Sequence, residues 1–104
     1  MVGHLVDGWR IRHARGVIRR RVIVAGEVQG VFFRDTCRRE ALAHGVAGWV
    51  RNRSDGRVEA VLEGDPGAVE HVVAWMRSGP RHATVTDIQV SDEDLAGERG
   101  FTIR

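Results

Sequence analysis

The segment from Val22 to Arg34 most constrains the fold, because it predicts a strand, a glycine loop and a helix start in direct succession. A run of β-branched residues opens the segment and is typical of a strand. Gly26 and Gly30 then permit backbone conformations in which successive N–H groups converge on one point. The helix N-terminus adds unpaired N–H groups, and Arg34 adds a charged planar fork. The segment therefore predicts an oxyanion site, although it has neither a Gly-Lys-Ser/Thr loop nor Gly-x-Gly-x-x-Gly spacing.

Length and composition predict one small domain. The chain has 104 residues, of which 42% are hydrophobic and 29% charged, which is ordinary for a globular protein with one core. No apolar run is long enough to cross a bilayer, and residues 1–20 have no apolar stretch of signal-peptide type. We therefore expect a cytoplasmic protein without membrane association, and a monomer is the default expectation.

Charge is distributed unevenly along the chain. Residues 1–21 hold six arginines and one aspartate, a local net of +5, whereas residues 22–104 hold ten arginines and thirteen carboxylates, a local net of −3. Residues 1–18 predict a loosely ordered basic extension. A misplaced translation start and weak attachment to an anionic partner are the alternatives. The domain is expected at residues 19–104, and its slightly acidic balance disfavours a nucleic-acid footprint.

The remaining patterns predict alternating strands and helices. Strands are expected at 19–25, 46–53, 57–63, 82–90 and 101–103, helices at 33–44 and 65–78, and an acidic loop at 91–100. Asp55-Gly56 predicts a hairpin turn, Asp65 an N-cap and Gly45 the end of the first helix. A shift of the apolar phase near Thr86-Asp87 predicts a bulge.

The order β-α-β-β-α-β with a short terminal strand predicts a fold of the α+β class. Two helices on one face of an antiparallel sheet form a ferredoxin-like α/β sandwich. Both faces of the first strand are apolar, which predicts an interior position. Glu59 and Glu63 alternate with apolar residues in the third strand, which predicts a largely wet face there.

Metal and thiol chemistry are not expected. Cys37 is the sole cysteine and falls on the apolar stripe of the first helix, so we expect a buried side chain rather than a nucleophile. The five histidines show no ligand spacing along the chain, so no metal site is predicted.

Two stretches of the chain are specific when they are taken together. The first reads Gly26-Glu27-Val28-Gln29-Gly30-Val31-Phe32-Phe33-Arg34, and the second reads Gly48-Trp49-Val50-Arg51-Asn52, followed by Gly56, Val58 and Gly64. In this order and separation they resemble the two signature motifs of the acylphosphatase family. The resemblance covers about residues 19–104, including Gly79-Pro80, and leaves residues 1–18 outside the family pattern.

The resemblance implies hydrolysis of the carboxyl–phosphate bond of acyl phosphates to a carboxylate and inorganic phosphate, without a metal or other cofactor. It implies that Arg34 binds the phosphate and that Asn52 positions the attacking water. It also implies a phosphate cradle made by backbone N–H groups from Glu27 to Phe33, that is, Glu27, Val28, Gln29, Gly30, Val31, Phe32 and Phe33. The side chains of Glu27 and Gln29 are expected to face solvent, and those of Phe32 and Phe33 to pack the loop down. Trp49 is assigned either to the site border or to a core or edge position.

Two other functions remain open at this point. A non-catalytic anion-binding module would share the fold, as in related domains within larger proteins that handle carbamoyl phosphate; the presence of both Arg34 and Asn52 favours an enzyme. An RNA-recognition module would need stacking aromatics on the central strands, where this chain has Val22, Ile23 and Val24.

Overall fold

Seven elements follow one another in the computed structural model, which describes residues 16–104. They are β1 (Ile18–Glu27), α1 (Phe33–Ala43), β2 (Ala47–Asn52), β3 (Val58–Gly64), α2 (Pro66–Met76), β4 (Thr84–Glu93) and β5 (Phe101–Ile103). The strands form one sheet in the order β4-β1-β3-β2-β5. β1 begins at Ile18, one residue before the predicted start, and residues 1–15 of the predicted extension lie outside the described part of the chain.

The core lies between the two helices and one face of the sheet. Apolar side chains at alternate positions of the interior strands pack there against Phe33, Cys37 and Ala41 of α1 and against the apolar stripe of α2, which consists of Val69, Val72, Val73 and Met76. This arrangement confirms the predicted ferredoxin-like sandwich. The sheet is mixed rather than wholly antiparallel, because β5 pairs with β2 in parallel.

Local sequence signals set the ends of both helices. The Asp65 carboxylate accepts hydrogen bonds from the N–H groups of Gly67 and Ala68, which confirms the predicted N-cap of α2. Gly45 has a φ of +69° after α1, and the N–H groups of Gly45 and Val46 donate to the carbonyls of Leu42 and Ala41. This is the glycine-terminated helix end that the sequence predicts.

β4 carries one confirmed prediction and one correction. Its register with β1 shifts so that Ala25 pairs with Asp87 and Gly26 with Val85, which leaves Thr86 as the extra residue of the predicted bulge. The assignment of residues 91–93 to an acidic loop was wrong, since β4 continues to Glu93. Arginines of β1 stand opposite these residues in the ladder, and the opposite charges favour continued pairing.

The outer face of β3, which was predicted to be largely wet, is buried. Glu59 is 4% and Glu63 6% exposed. Arg19 donates to Glu63 at 3.0 Å, Arg51 donates to Glu59 at 2.7 Å, and Arg21 also pairs with Glu59. Arginines from the neighbouring strands therefore cover the face that carries no helix, so that long aliphatic stems shield it while their charges satisfy the glutamates.

The connection between β4 and β5 also crosses this outer face. It joins the two opposite edges of the sheet, and the N–H groups of Ala96 and Gly97 donate to the Glu63 carboxylate at 3.2 and 2.8 Å. Burial alone would raise the pKa of Glu63, but these N–H groups and Arg19 hold its pKa below the ordinary value. No helix within residues 16–104 has the length and apolar character that a membrane crossing requires.

Candidate active site

A cleft of about 300 Å³ lies where the loop after β1 meets the end of β2. It is lined by Val28, Gly30, Phe32, Phe33, Arg34, Asp35, Asn52 and Ile103. The ends of three separate strands and the start of α1 therefore converge on one opening. The two stretches that the sequence singles out lie far apart in the chain and meet in this cleft.

The loop has the backbone shape of an anion cradle. Gly30 has a φ of +76° and Phe32, the N-cap of α1, has a φ of +64°. A left-handed conformation is costly for a bulky residue, and such strain is concentrated at functional sites. Alternation of left- and right-handed residues turns successive N–H groups toward a common point. No side chain caps α1, so its first N–H groups remain open to a ligand.

Arg34 is the cation of the cleft. It lies in the first turn of α1, where the positive end of the helix dipole and the open N–H groups attract an anion, as the charge of Arg34 does. No carboxylate within residues 16–104 forms an ion pair with Arg34, although most other arginines of this region have one, and Asp35 beside it pairs with Arg39. The guanidinium is therefore available for an anionic ligand.

Asn52 is the last residue of β2, and its side chain lies on the face of the sheet that carries the helices. Its Oδ1 atom is buried and is the one such atom within residues 16–104 that has no hydrogen-bond partner. A buried acceptor without a partner is costly, and a water molecule in the cleft would satisfy it. The position faces the loop and Arg34 across the same cleft.

Gln29 links the two halves of the site. Its Nε2 atom donates to the carbonyl of Arg53 at 2.8 Å and to the carbonyl of Arg57 at 3.0 Å. These carbonyls belong to the turn that follows Asn52, so the side chain connects the loop to the hairpin. The expectation that the Gln29 side chain faces solvent was therefore wrong. Its two partners lie 24 and 28 residues further along the chain, so local sequence patterns do not indicate the contact.

The turn itself is held by charge. Arg57 donates to Asp55 through its side chain and its backbone N–H, and Arg53 donates as well. The hydrogen bond from the Arg57 side chain, together with those from the Arg57 N–H and from Arg53, holds the pKa of Asp55 well below its usual range. The carboxylate thus keeps the two carbonyls that receive Gln29 in a fixed turn.

The two phenylalanines of the loop have different surroundings. Phe33 is buried and contacts Trp75 of α2 with ring centroids 5.3 Å apart, as expected for a packing residue. Phe32 is 78% exposed at the mouth of the cleft, so the prediction that it packs the loop down was wrong for this residue. Its left-handed backbone turns the ring outward. Together with Ile103, which the motif patterns missed, Phe32 gives the cleft an apolar rim.

The other predicted residues lie in more varied positions. Val28, Gly30, Phe32 and Phe33 line the cleft with Arg34 and Asn52, whereas Glu27, Gln29 and Val31 do not line it. Trp49 lies on the opposite face of the sheet, where the guanidinium of Arg104 stands 4.5 Å from its ring centroid. It is thus a covered packing residue and does not border the site.

Cysteine and histidine chemistry lies outside the cleft. Cys37 is fully buried, and burial together with the charge of Glu40 raises the pKa of its thiol to about 12. A thiol in this state is not a nucleophile. Within residues 16–104, one group of side chains could hold a metal ion, formed by Glu40, His44 and His71, and none of the three lines the cleft.

Comparison with known proteins assigns the chain. A family model described as Acylphosphatase matches residues 20–103. The chain belongs to the acylphosphatase family. An acylphosphatase of Rubrobacter xylanophilus is 54% identical over 104 residues, an alignment that covers 99% of this chain and 93% of the relative. That alignment therefore also takes in the region before β1.

Solved acylphosphatases share the fold. The acylphosphatase structure from Bacillus subtilis has a TM-score of 0.81 at 42% identity and covers 84% of this chain and 98% of its own. The structure from Coxiella burnetii has a TM-score of 0.84 at 32% identity and covers 88% and 96%. The family match and these relatives support acyl phosphate hydrolysis as the activity of this chain.

Proposed function

We propose that Arg34 binds the phosphoryl group of an acyl phosphate in this cleft while Asn52 positions the attacking water. The observation that best supports this assignment is that an arginine and a buried amide oxygen, neither of which has a partner among residues 16–104, meet beside a left-handed loop. The backbone N–H groups of Glu27–Phe33 complete the cradle, and four residues of this loop line the cleft, namely Val28, Gly30, Phe32 and Phe33.

The reaction needs few protein groups. The leaving group is a carboxylate, whose conjugate acid has a pKa of about 4, so it departs without a general acid. The phosphoryl transition state spreads charge over its equatorial oxygens and requires alignment of attacking and leaving oxygens. Arg34 and the loop N–H groups neutralise that charge, and they are in place before the reaction starts.

Asn52 aligns the nucleophile. A water that donates to its Oδ1 atom would stand on the β2 side of the cleft, across from the loop that holds the phosphoryl group. Within the described residues 16–104, Asp35 is the single carboxylate of the lining, and it pairs with Arg39. The bound phosphate dianion therefore accepts the proton of the water, and the carboxylate and inorganic phosphate leave as products.

The acyl group contacts the apolar rim. Phe32 and Ile103 are 78% and 41% exposed and stand at the mouth of the cleft, so they offer an apolar surface without an enclosing pocket. Such a surface favours apolar acyl groups modestly and accepts acyl groups of varied shape. We further propose that the chain acts in the cytoplasm, as a monomer, on a small-molecule acyl phosphate.

The test follows the ultraviolet absorbance of benzoyl phosphate in the presence of a chelator. Arg34→Ala removes charge and a bidentate donor, and loss of one oxyanion donor costs roughly 100–1000-fold in rate, so at least that loss is expected. Asn52→Ala is expected to lower kcat with a smaller effect on KM. Arg77→Ala, an exposed arginine at the end of α2, is the matched control and keeps the wild-type rate.

Two results would contradict the assignment. Near-normal turnover by folded Arg34→Ala or Asn52→Ala would remove that residue from the mechanism. Absence of hydrolysis by folded wild type would favour an anion-binding module instead.

A further inference from the structure

Three side chains with metal-binding atoms converge on the outside of the helix pair. Glu40 and His44 are four residues apart at the end of α1, and His71 lies in the middle of α2. Their ligand atoms all lie within 4.8 Å of one another. The motifs of the hydrolytic site include none of these residues.

The distances match the requirements of a small divalent cation. The Glu40 Oε1 atom lies 4.0 Å from Nε2 of His44 and 3.6 Å from Nε2 of His71, and the two imidazole centroids are 3.8 Å apart. Tetrahedral Zn²⁺ with bonds of about 2.0–2.2 Å separates its ligands by about 3.4 Å. The ligand atoms lie within 4.8 Å of one another, so rotation of these partly exposed side chains would bring the three groups to one ion. We propose that Glu40, His44 and His71 form a Zn²⁺ site that joins α1 to α2.

Within residues 16–104, the Glu40 carboxylate lies close to histidines and is not paired with an arginine. The other glutamates with ion pairs in residues 16–104 are paired with arginine, including the buried Glu59 and Glu63. Among residues 16–104, Glu40 has ion-pair distances to His44 and His71 alone. Two imidazoles and one carboxylate are a donor set that suits Zn²⁺, whereas Mg²⁺ and Ca²⁺ prefer oxygen ligands throughout.

The exposure of the cluster determines how it would act. His44 and His71 side chains are 37% and 52% exposed, so water can complete the coordination. His44 lies ten residues beyond Arg34, which corresponds to about 15 Å along α1. Bound Zn²⁺ would therefore leave the phosphate cradle untouched and instead stabilise the packing of α1 on α2. Because both helices contribute ligands, the native state binds the ion and the unfolded chain binds it less well.

The test measures Zn²⁺ binding to the full chain without a histidine tag, in phosphate-free buffer. Calorimetric titration with ZnCl₂ is expected to give one site per chain. Thermal unfolding is expected to shift upward by roughly 10 °C when free Zn²⁺ exceeds Kd a hundredfold, and EDTA should reverse the shift. His71→Ala is expected to weaken binding at least tenfold and to reduce the shift by about half or more at the same free Zn²⁺ concentration.

The control separates this cluster from general histidine binding. His82 is exposed between α2 and β4 and is not part of the cluster, so His82→Ala should bind Zn²⁺ as wild type does. Co²⁺ should give visible absorption bands that His44→Ala lacks. A wild type with no change in melting temperature up to millimolar Zn²⁺, or a His71→Ala variant with wild-type affinity, would overturn the proposal.

Discussion

Replacement of Gln29 by methionine is expected to slow hydrolysis by more than unfolding of the domain can explain. Methionine keeps the length and approximate shape of the side chain but removes both hydrogen bonds to the turn carbonyls of Arg53 and Arg57. Each such bond contributes about 0.5–1.5 kcal/mol net, so the free energy of unfolding should fall by about 1–3 kcal/mol. The lower half of this range is expected because Gln29 is only half-buried and water can reach the carbonyls.

The rate should respond more strongly because Gln29 sets the distance between two separate elements. The loop holds the phosphoryl group and the end of β2 holds Asn52, and a misplacement of about 1 Å can cost about 100-fold in rate. A domain stable by about 5 kcal/mol would remain more than about 95% folded after this substitution. Unfolding therefore cannot explain a tenfold or larger loss of kcat, which is the loss we expect.

The assay combines benzoyl phosphate kinetics with urea unfolding of the same preparations. Gln89→Met, on the exposed outer side of β4, provides a matched glutamine control and should leave kcat unchanged. A Gln29→Met variant with wild-type kcat, or with a loss no greater than that of Gln89→Met, would refute the positioning role. A loss of kcat that disappears at low temperature together with the unfolded fraction would do the same.

Two further predictions concern stability and the thiol. Burial alone would raise the pKa of Glu59 and Glu63, but hydrogen bonds from arginines and backbone N–H groups outweigh this effect and lower it. Hydrogen bonds from arginines also lower the pKa of Glu93, so all three carboxyl groups ionise more readily in the folded state than at their ordinary pKa of 4.5. Their contribution to stability is complete above pH 4.5 and is lost as the pH falls further, so urea unfolding should show a steady midpoint from pH 7 to 5 and a decline by pH 3; an equal midpoint at pH 3 would contradict this. Cys37, whose pKa burial raises to about 12, should react with a thiol reagent at pH 8 only after unfolding, and rapid labelling of folded protein would contradict its burial.

Local patterns predicted most of the fold because each signal acts within a few residues. The Asp65 carboxylate caps its own helix, Gly45 ends α1 by its own backbone, and the phase shift at Thr86 marks a bulge in its own strand. These effects need no knowledge of distant partners. The motif residues Arg34 and Asn52 were likewise identifiable from sequence, and the structure brings them to one cleft.

Most of the contacts that the sequence patterns misjudged or missed involve partners that are distant in sequence. Gln29 is anchored by carbonyls 24 and 28 residues away, and Ile103 reaches the cleft because β5 pairs with β2. His44 and His71 come together because α1 packs on α2. The alternation or spacing of residues along the chain contains no information about such long-range contacts.

The buried glutamates of β3 show why alternation alone misjudged the outer face of the sheet. A period-two pattern assigns Glu59 and Glu63 to water, since a bare carboxylate is costly to bury. The register places Arg19 directly opposite Glu63 and Arg51 directly opposite Glu59, so that each carboxylate is paired when the strands align. A slip of one residue would turn each glutamate toward the apolar core without its arginine, which costs several kcal/mol per charge. The ion pairs therefore select the register of β1, β2 and β3, and this same register brings the end of β2, with Asn52, beside the loop that follows β1.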